Sequence, residues 1–577
     1  MTLFLLGLLA LPPVLLLLGL GGARAWRDAG VRADPVTGDG ASEALFVLVH
    51  GMRPDTEHWD ALQRTLEPHG RVLRLHYNAD PWSNADPAAV AAGIGQHLQT
   101  VVAQTQARRV VLVAHSMGAL ITRRALLDAR GQPWVDRVGR VVLMAGVTRG
   151  WTLAGDAPAD ADPLYRFGMR VLYWGGRMLH VGNLVFALER GSPFVANLRL
   201  AWMNWMRADA GPPFEVVQML GDIDDIVSRE DNEDLRTMAT KSFAQLQLRG
   251  TGHGDIVDFG VDAKAGSEEE ELGQYRRAKF ITAATAPFGQ VQLLDEVQPH
   301  GTDEQITEVV FVLHGIRDLG RWAANFETAI DRLYPGRRAH LAVVSSRYGY
   351  FGMGPFLFED VRDRYVRWFM DQYTETLARY PKVKRENIRF FGHSNGTYIV
   401  AEALQAYDEM RIERVVFAGS VVPKAYPWAK LGERVKRVRN YVGTQDWVVA
   451  LFPRLFELPG PSLLGNSIGS AGFNGFDDEE RVDNVRYVHG EHGAFESRVD
   501  EIVGFLLAPG EPQPALREER GVAGHVMASP LAVLLTWALL AFAVLWLGAR
   551  VVGAAPSPAW PVLLAYVLLV TSILRTV

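Results

Sequence analysis

Two serines sit in settings that suit nucleophilic catalysis: Ser116 in Ala114-His115-Ser116-Met117-Gly118, and Ser394 in Gly392-His393-Ser394-Asn395-Gly396. A serine hydroxyl is a poor nucleophile near neutral pH, so it needs a base within hydrogen-bond reach and an acid to orient that base. Small residues flank both serines, as a tight turn between strand and helix demands, and in such a turn the next amide points toward a developing oxyanion. Around each serine the same motifs recur in the same order. An apolar run ending in His-Gly comes before it, Leu45 to Met52 and Val309 to Ile316. A Gly-x-x-Asp and then a His-Gly come after it: Gly221 to Asp224 with His253-Gly254, and Gly443 to Asp446 with His492-Gly493. Four motifs repeated in one order read as a tandem duplication of one enzymatic fold.

Those motifs fall at the ends of strands that alternate with amphipathic helices. In the first half, strands are expected at Leu45–His50, Arg71–Tyr77, Arg109–His115, Val138–Ala145, Glu215–Leu220 and Gln245–Arg249. In the second they are expected near Val309–Leu313, Leu341–Ser345, Ile388–Phe391, Val415–Ala418, Val438–Val442 and Val485–Val488. Several are apolar at consecutive positions, the signature of parallel strands covered on both faces. Asp86-Pro87 opens a helix with Val90, Ile94, Leu98 and Val101 on one face, Thr397 to Gln405 reads as the helix after Ser394, and Val361, Tyr365, Trp368 and Phe369 mark a core-packing helix. The fold class is α/β, with a mostly parallel sheet and helices on both faces in each half.

With 577 residues, 48% of them hydrophobic, the chain can bury two separate cores. A net charge of −6 and the lack of any long Lys/Arg run argue against nucleic acid as a partner. Without cysteine there is no disulfide, thiolate nucleophile or Cys-ligated zinc.

Both ends are apolar. Thr2 to Gly22 contains Pro12 and Pro13 and is followed by Arg24, Arg27 and Arg32; a membrane anchor within 1–23 fits better than a signal peptide, because the leading side lacks positive charge. After a linker at 509–528, Ser529 to Gly548 and Trp560 to Leu574 form an expected transmembrane hairpin within 529–577. The positive flanks Arg24, Arg27, Arg32, Arg517 and Arg520 place the intervening domains on the cytoplasmic side of an integral membrane protein, with Arg550 on the opposing side.

The arrangement resembles the α/β-hydrolase superfamily, and within it the serine esterases and lipases, in two tandem domains at 40–295 and 300–508. The resemblance implies the chain order serine, acid, histidine, each partner just past a strand. It therefore assigns Ser116, Asp224 and His253 to one catalytic triad, and Ser394, Asp446 and His492 to the other. Asp222, Asp225 and Asp255 are nearby competitors for the acid, and His489 for the base. It further implies that Gly51-Met52 and Gly315-Ile316 supply oxyanion amides alongside those of Met117 and Asn395. The sequon-like Asn395-Gly396-Thr397 belongs to the elbow. Carboxylic esters or thioesters, lipid or otherwise hydrophobic, are the implied substrates, with acyl-enzyme chemistry and no metal or organic cofactor. An acyltransferase with the same triad, and an interaction protein with idle triads, are the alternatives.

The copies differ where substrate is chosen. Ser116 and Asp224 are 108 positions apart, Ser394 and Asp446 only 52, so the first domain carries an insertion near 151–210. It holds Tyr165, Phe167, Tyr173, Trp174, Phe186, Phe194, Trp202 and Trp205 among Arg166, Arg170, Arg177, Arg190 and Arg199. An aromatic-plus-Arg lipid interface and a buried helical cap both suit that composition. The second domain inserts instead between acid and base, where Phe452, Phe456, Leu463 and Leu464 are candidates to line or shield a pocket.

Overall fold

Strands that are apolar at every position need cover on both faces, and helices supply it on each side of two separate sheets. The computed structural model describes residues 28–52, 56–152, 173, 175–177, 179–208, 211–224, 242–294, 303–315, 323–346, 359–458, 467–487, 491–508, 521–553 and 560–576. The chain divides into two compact units, Met1–Thr302 and Asp303–Val577. The expected N-terminal anchor at 1–23, the linker residues 509–520 and the hairpin turn at 554–559 lie outside the described residues.

The first unit holds β1 (Arg32–Ala33), β2 (Thr37–Gly38), β3 (Ala44–Val49), β4 (Arg71–His76), β5 (Arg109–His115), β6 (Val138–Met144), β7 (Glu215–Gly221) and β8 (Phe243–Leu248). They run β1-β4-β3-β5-β6-β7-β8, with β2 also on β4; β1 and β2 pair antiparallel and all other neighbours are parallel. One face is covered by α1 (Thr56–Leu66), through Trp59, Leu62 and Leu66, and the other by α2 (Pro87–Thr105) and α3 (Gly118–Asp128). Asp86 caps α2 by accepting the Ala88 amide at 3.1 Å, and the predicted Val90, Ile94, Leu98 and Val101 are all buried. From the insertion, α4 (Pro193–Met206) packs on α3, while α5 (Glu268–Thr285) joins α1 through Phe280 and Ala283.

In the second unit β9 (Glu308–Leu313), β10 (Leu341–Ser346), β11 (Ile388–His393), β12 (Ile412–Ala418), β13 (Val435–Gly443) and β14 (Val482–Tyr487) run β10-β9-β11-β12-β13-β14, all parallel. That is the order β4-β3-β5-β6-β7-β8 of the first sheet. α6 (Ala323–Leu333) and, later in the chain, a helix over Val499–Leu507 cover one face; α7 (Glu359–Arg379) and α8 (Asn395–Ala406) pack together on the sheet. On α7, Val361 and Phe369 are buried core, and Tyr365 and Trp368 half-buried.

The likeness extends to positions with no part in catalysis. Arg140 on β6 and Arg414 on β12 occupy matching registers, opposite Val111 and Arg389, each five residues before the elbow serine. Each donates to carbonyls at the end of its unit's last sheet-covering helix. Arg140 reaches Ala283 and Ala286 at 2.9 and 2.8 Å; Arg414 reaches Phe505 at 2.6 Å and also Ala508. Three positions on, Leu143 opposes Gln218 and Phe417 opposes Asn440, and these amides pair in turn with Gln245 and Asn484.

Between β13 and β14 lies α9 (Trp447–Leu451); after the second sheet come α10 (Val499–Leu507), α11 (Val522–Met527), α12 (Pro530–Gly553) and α13 (Trp560–Thr576). Among the described residues α12 is the helix long and apolar enough to cross a membrane, and α13 holds a shorter apolar stretch, Trp560–Val570. The two pack together, with Tyr566 donating its hydroxyl to the Val544 carbonyl at 2.7 Å.

Candidate active site

Ser116 joins β5 to α3 with φ +52°, and Ser394 joins β11 to α8 with φ +51°. This left-handed backbone is costly for a residue with a side chain and persists only where the surroundings hold it. Two ties do so in each unit. The serine amide donates to the neighbouring strand at 3.0 Å (Met144 or Ala418 carbonyl), and its own carbonyl accepts the amide three residues on, Ala119 at 3.1 Å or Thr397 at 2.9 Å. Gly118 and Gly396 are required by space: a Cβ would lie 2.5 Å from the His50 carbonyl oxygen in the first unit and 2.7 Å from that of Leu313 in the second. Asn395 and Thr397 are buried within this elbow, as expected for that sequon-like triplet.

In the first unit all three predicted side chains converge. The loop after β7 delivers Asp224 and the loop after β8 delivers His253. The Ser116 hydroxyl lies 2.9 Å from His253 Nε2, and His253 Nδ1 lies 3.0 and 3.2 Å from Asp224 Oδ2 and Oδ1. The Asp224 side chain is covered from solvent, and His253 is buried. Of the competing acids, Asp222 instead accepts the Thr251 amide at 3.2 Å and Asp255 that of Gly252 at 2.9 Å; Asp225 lies outside the described residues.

The second unit brings two of its three together. His492 Nδ1 lies 2.8 Å from Asp446 Oδ2, with Asp446 fully buried, yet among the described residues no hydrogen bond joins His492 to Ser394. Its ring lies over Gly419, where an added Cβ would stand 2.9 Å from Cε1 and Nδ1. The matching residue of the first unit is Ala145, fully buried. Ile316 and His489 lie outside the described residues, as do Leu463 and Leu464; Phe456 is buried and Phe452 half-buried.

Gly51 and Gly315 abut the serines: a Cβ on either would stand 2.8 Å from the serine Cβ. Close backbone approach there is what an oxyanion-binding loop needs; after the serines, Met117 is the N-cap of α3 and Asn395 the first residue of α8.

Four histidines carry more than sequence reasoning gave them. His115 Nε2 donates to the His253 carbonyl at 3.2 Å, and His393 Nε2 to the His492 carbonyl at 2.9 Å. Because a carbonyl only accepts, Nε2 carries the proton in both rings. Burial keeps both neutral, holding His115 down at about 3 and His393 well below the usual histidine range. His50 and His314, at the ends of β3 and β9, donate from Nδ1 to the carbonyls of Gly51 and Gly315 at 2.6 and 2.9 Å. His50 also stacks on Tyr77 at 4.4 Å, accepts its amide at 3.3 Å, and is lowered to about 4 by burial. The signal was in the sequence: a histidine precedes each elbow serine and each of Gly51 and Gly315.

A cavity of about 400 Å³ opens on Ser116 and His253. Met52, Val147, Trp151, Val185 and Leu188 give it apolar walls, and His58 and Asp258, 3.7 Å apart, add a charged edge. Trp151, Val185 and Leu188 come from the insertion, where backbone bonds tie Trp151 to Leu188 and Arg190, both at 2.9 Å. Much of the rest of the described insertion packs inward. Trp202 and Trp205 are buried against Phe214, the Arg123 guanidinium stands 4.9 Å over Trp202, and Tyr173 and Arg199 are buried too. Phe186, Phe194, Arg177 and Arg190 are half-buried; Tyr165, Arg166, Phe167 and Arg170 lie outside the described residues, as does Trp174. Of the described aromatic and arginine side chains of the insertion, Tyr173, Arg199, Trp202 and Trp205 pack inward as a buried cap would have them.

A family model described as "Alpha/beta hydrolase family" matches residues 46–262, and one described as "Alpha/beta hydrolase" matches residues 369–456. A 2-hydroxy-6-oxononadienedioate/2-hydroxy-6-oxononatrienedioate hydrolase of Escherichia coli is 29% identical over 140 residues, 22% of this chain, and the match spans 46% of that protein, about half its length. Similar solved structures include the monoacylglycerol lipase of Paleococcus ferrophilus (14% identity, TM-score 0.28, 43% of this chain and 98% of that one). The Bacillus licheniformis lipase BlEst2 is another (18% identity, TM-score 0.28, 39% and 92%). With one family match on each sheet, each enclosing its elbow serine, the chain belongs to the α/β-hydrolase superfamily.

Proposed function

We propose that this protein is a membrane-anchored serine ester hydrolase built from two tandem α/β-hydrolase domains, 40–295 and 300–508, acting on hydrophobic carboxylic esters or thioesters. The observation that carries the reading is the continuous Ser116–His253–Asp224 hydrogen-bond chain on a strained elbow, at the mouth of an apolar cavity. His253 takes the Ser116 proton as the hydroxyl oxygen attacks the ester carbonyl, and Asp224 stabilises the resulting imidazolium. Amides of Met52 and Met117, with Gly51 shaping the loop, hold the tetrahedral oxyanion; removing one such donor typically costs ~10²–10³ in rate. The imidazolium returns its proton to the leaving alcohol or thiol. Water, deprotonated by His253, then resolves the acyl-enzyme. Ser394, Asp446 and His492, with Gly315, Ile316 and Asn395, hold the same roles in the second domain. There, among the described residues, no hydrogen bond joins His492 to Ser394, and the ring lies over Gly419. That separation favours a second reading for this domain alone, an idle or conditionally active site.

The bilayer is the second partner, through α12 and α13 and the N-terminal segment, with both domains on the cytoplasmic side. A fluorophosphonate probe tests the chemistry: Ser116→Ala should remove the greater part of the labelling, and Ser116→Ala/Ser394→Ala all of it. A double variant that labels like wild type sinks the assignment. Protease added to spheroplasts tests the topology and should leave 40–508 uncut.

A further inference from the structure

The segment between acid and base in the second unit is tied at one end to the site and at the other to the apolar helix. Asp446 both holds His492 and caps α9, its Oδ1 accepting the Val449 amide at 3.0 Å. At the far end of α9, the Leu451 carbonyl accepts Trp537 Nε1 of α12 at 3.0 Å. The Trp537 ring meets Phe452 edge-on at 5.8 Å, and Phe452 in turn meets Trp447 at 6.4 Å. Arg454 donates to the Met527 carbonyl of α11 at 3.3 Å. Val533 and Trp537, one turn apart on α12, face this segment, whereas Leu531, Leu534, Leu535, Leu539 and Leu540 are exposed.

Length fixes the depth. About 20 helical residues are needed to cross a hydrocarbon core of about 30 Å. Counted back from Arg550, the apolar stretch of α12 is used up near Pro530. Trp537, seven residues and about 10 Å past Pro530 at 1.5 Å per residue, therefore sits inside the lipid boundary, and whatever packs against it is held against the membrane. Three large apolar side chains of that neighbourhood are bare: Trp447 is 51% exposed, Val522 84% and Val526 60%.

We infer that α9, α11 and the first turns of α12 form one membrane-facing edge, which seats the second unit on the lipid surface with Trp447 and Val526 in the interface. The second site thereby takes its ester from the bilayer rather than from solution. The inference rests on the proposed ester-hydrolase and membrane reading, and it puts the lipid-contacting surface on the second unit, not on the aromatic insertion of the first.

The absence of cysteine allows a direct test with single spin labels on the full chain in phosphatidylcholine vesicles. Trp447→Cys and Val526→Cys are measured against Leu535→Cys as a lipid reference and Glu480→Cys as a water reference. Collision with oxygen relative to a soluble nickel complex should place labels at 447 and 526 with 535. If they match 480 while 535 is lipid-like, the docking edge is overturned. A water-like label at 535 instead overturns the membrane reading beneath it. In a Ser116→Ala background, Ser394 should react faster with a vesicle-borne long-chain fluorophosphonate than with a soluble one. Val526→Glu should slow the vesicle-borne reaction alone, by about fivefold or more, since a charge is disfavoured at that depth. Equal slowing of both reactions, or no reaction at Ser394, overturns the claim about where the ester comes from.

Discussion

The two elbows are near superpositions in kind, yet only the first has its serine hydrogen-bonded to its histidine. Both have the left-handed serine, the close glycine, the buried carboxylate and the carbonyl-holding histidine. One difference lies beside the elbow: the first unit has Ala145 there, and the second has Gly419, over which the His492 ring lies. Exposure follows, since the His253 side chain is 10% exposed and that of His492 23%, while Ser394 is buried and Ser116 half-buried. The two histidines thus share a buried carboxylate partner and differ in what lies beside the ring.

The largest break in that comparison comes from the nucleophiles. Ser116→Ala should cost ~10⁴ or more in the hydrolysis of a soluble short-chain ester, because the elements of a triad act as a unit. Ser394→Ala should leave most of that activity in place. Equal losses, measured as kcat/KM on the full chain, would show the sites to be equally engaged in solution. The glycine–alanine exchange sharpens the contrast. Gly419→Ala should push the His492 ring off its seat toward Ser394 and raise the rate of Ser394 labelling by up to ~10²-fold, the usual consequence of correcting a misplacement of about 1 Å. Ala145→Gly should lower Ser116 labelling in turn. The new alanine is tolerable because Ala145 already holds φ +45° at the matching position. Unchanged labelling of Ser394 in Gly419→Ala would mean that something other than this space holds the ring away.

Much of this was legible in the sequence, for identifiable reasons. Parallel strands declare themselves by consecutive apolar residues, so β3, β5, β6, β9, β11 and β12 fell within a few positions of expectation. The ends moved: the expected strand at Val485–Val488 is Val482–Tyr487, since Asp483 faces Arg439 at 2.8 Å and so tolerates a strand position that composition alone disfavours. β1 and β2 are two residues each and leave no periodicity to read. At the site, strand order brought Asp224 to His253 and Asp446 to His492, the pairs that the family resemblance implied. The seating of one ring over a glycine depends on a distance between two loops and has no sequence signature. Aromatics with arginines likewise do not say which way they face. Trp202 and Trp205 turned inward because α4 packs on α3, while the exposed Trp447 lies where α9 meets α12.

The smallest expected effect separates the units by their buried histidines. His50 and His115 of the first unit are lowered by burial to about 4 and about 3, against about 6.5 in an unfolded chain, and His393 of the second is lowered as well. A depressed histidine resists protonation in the folded state, so below the unfolded value the unfolded chain gains a proton that the folded chain refuses. The stability contributed by neutral burial is therefore complete above about pH 6.5 and is lost as pH falls toward the folded values, at about 1.4 kcal/mol per pH unit for each such group. Two of these groups act on the first unit between about pH 6.5 and 4, so its protection should fall faster with acid than His393 alone dictates for the second. Native-state hydrogen exchange on the full chain at pH 6.5, 5.5 and 4.5, read separately over 44–285 and 308–507, measures both slopes. His115→Asn should reduce the slope of the first unit by about 1.4 kcal/mol per pH unit and leave that of the second unchanged. A slope that the substitution does not alter would mean that His115 is protonated inside the folded protein, and its bond to the His253 carbonyl would then be that of an imidazolium.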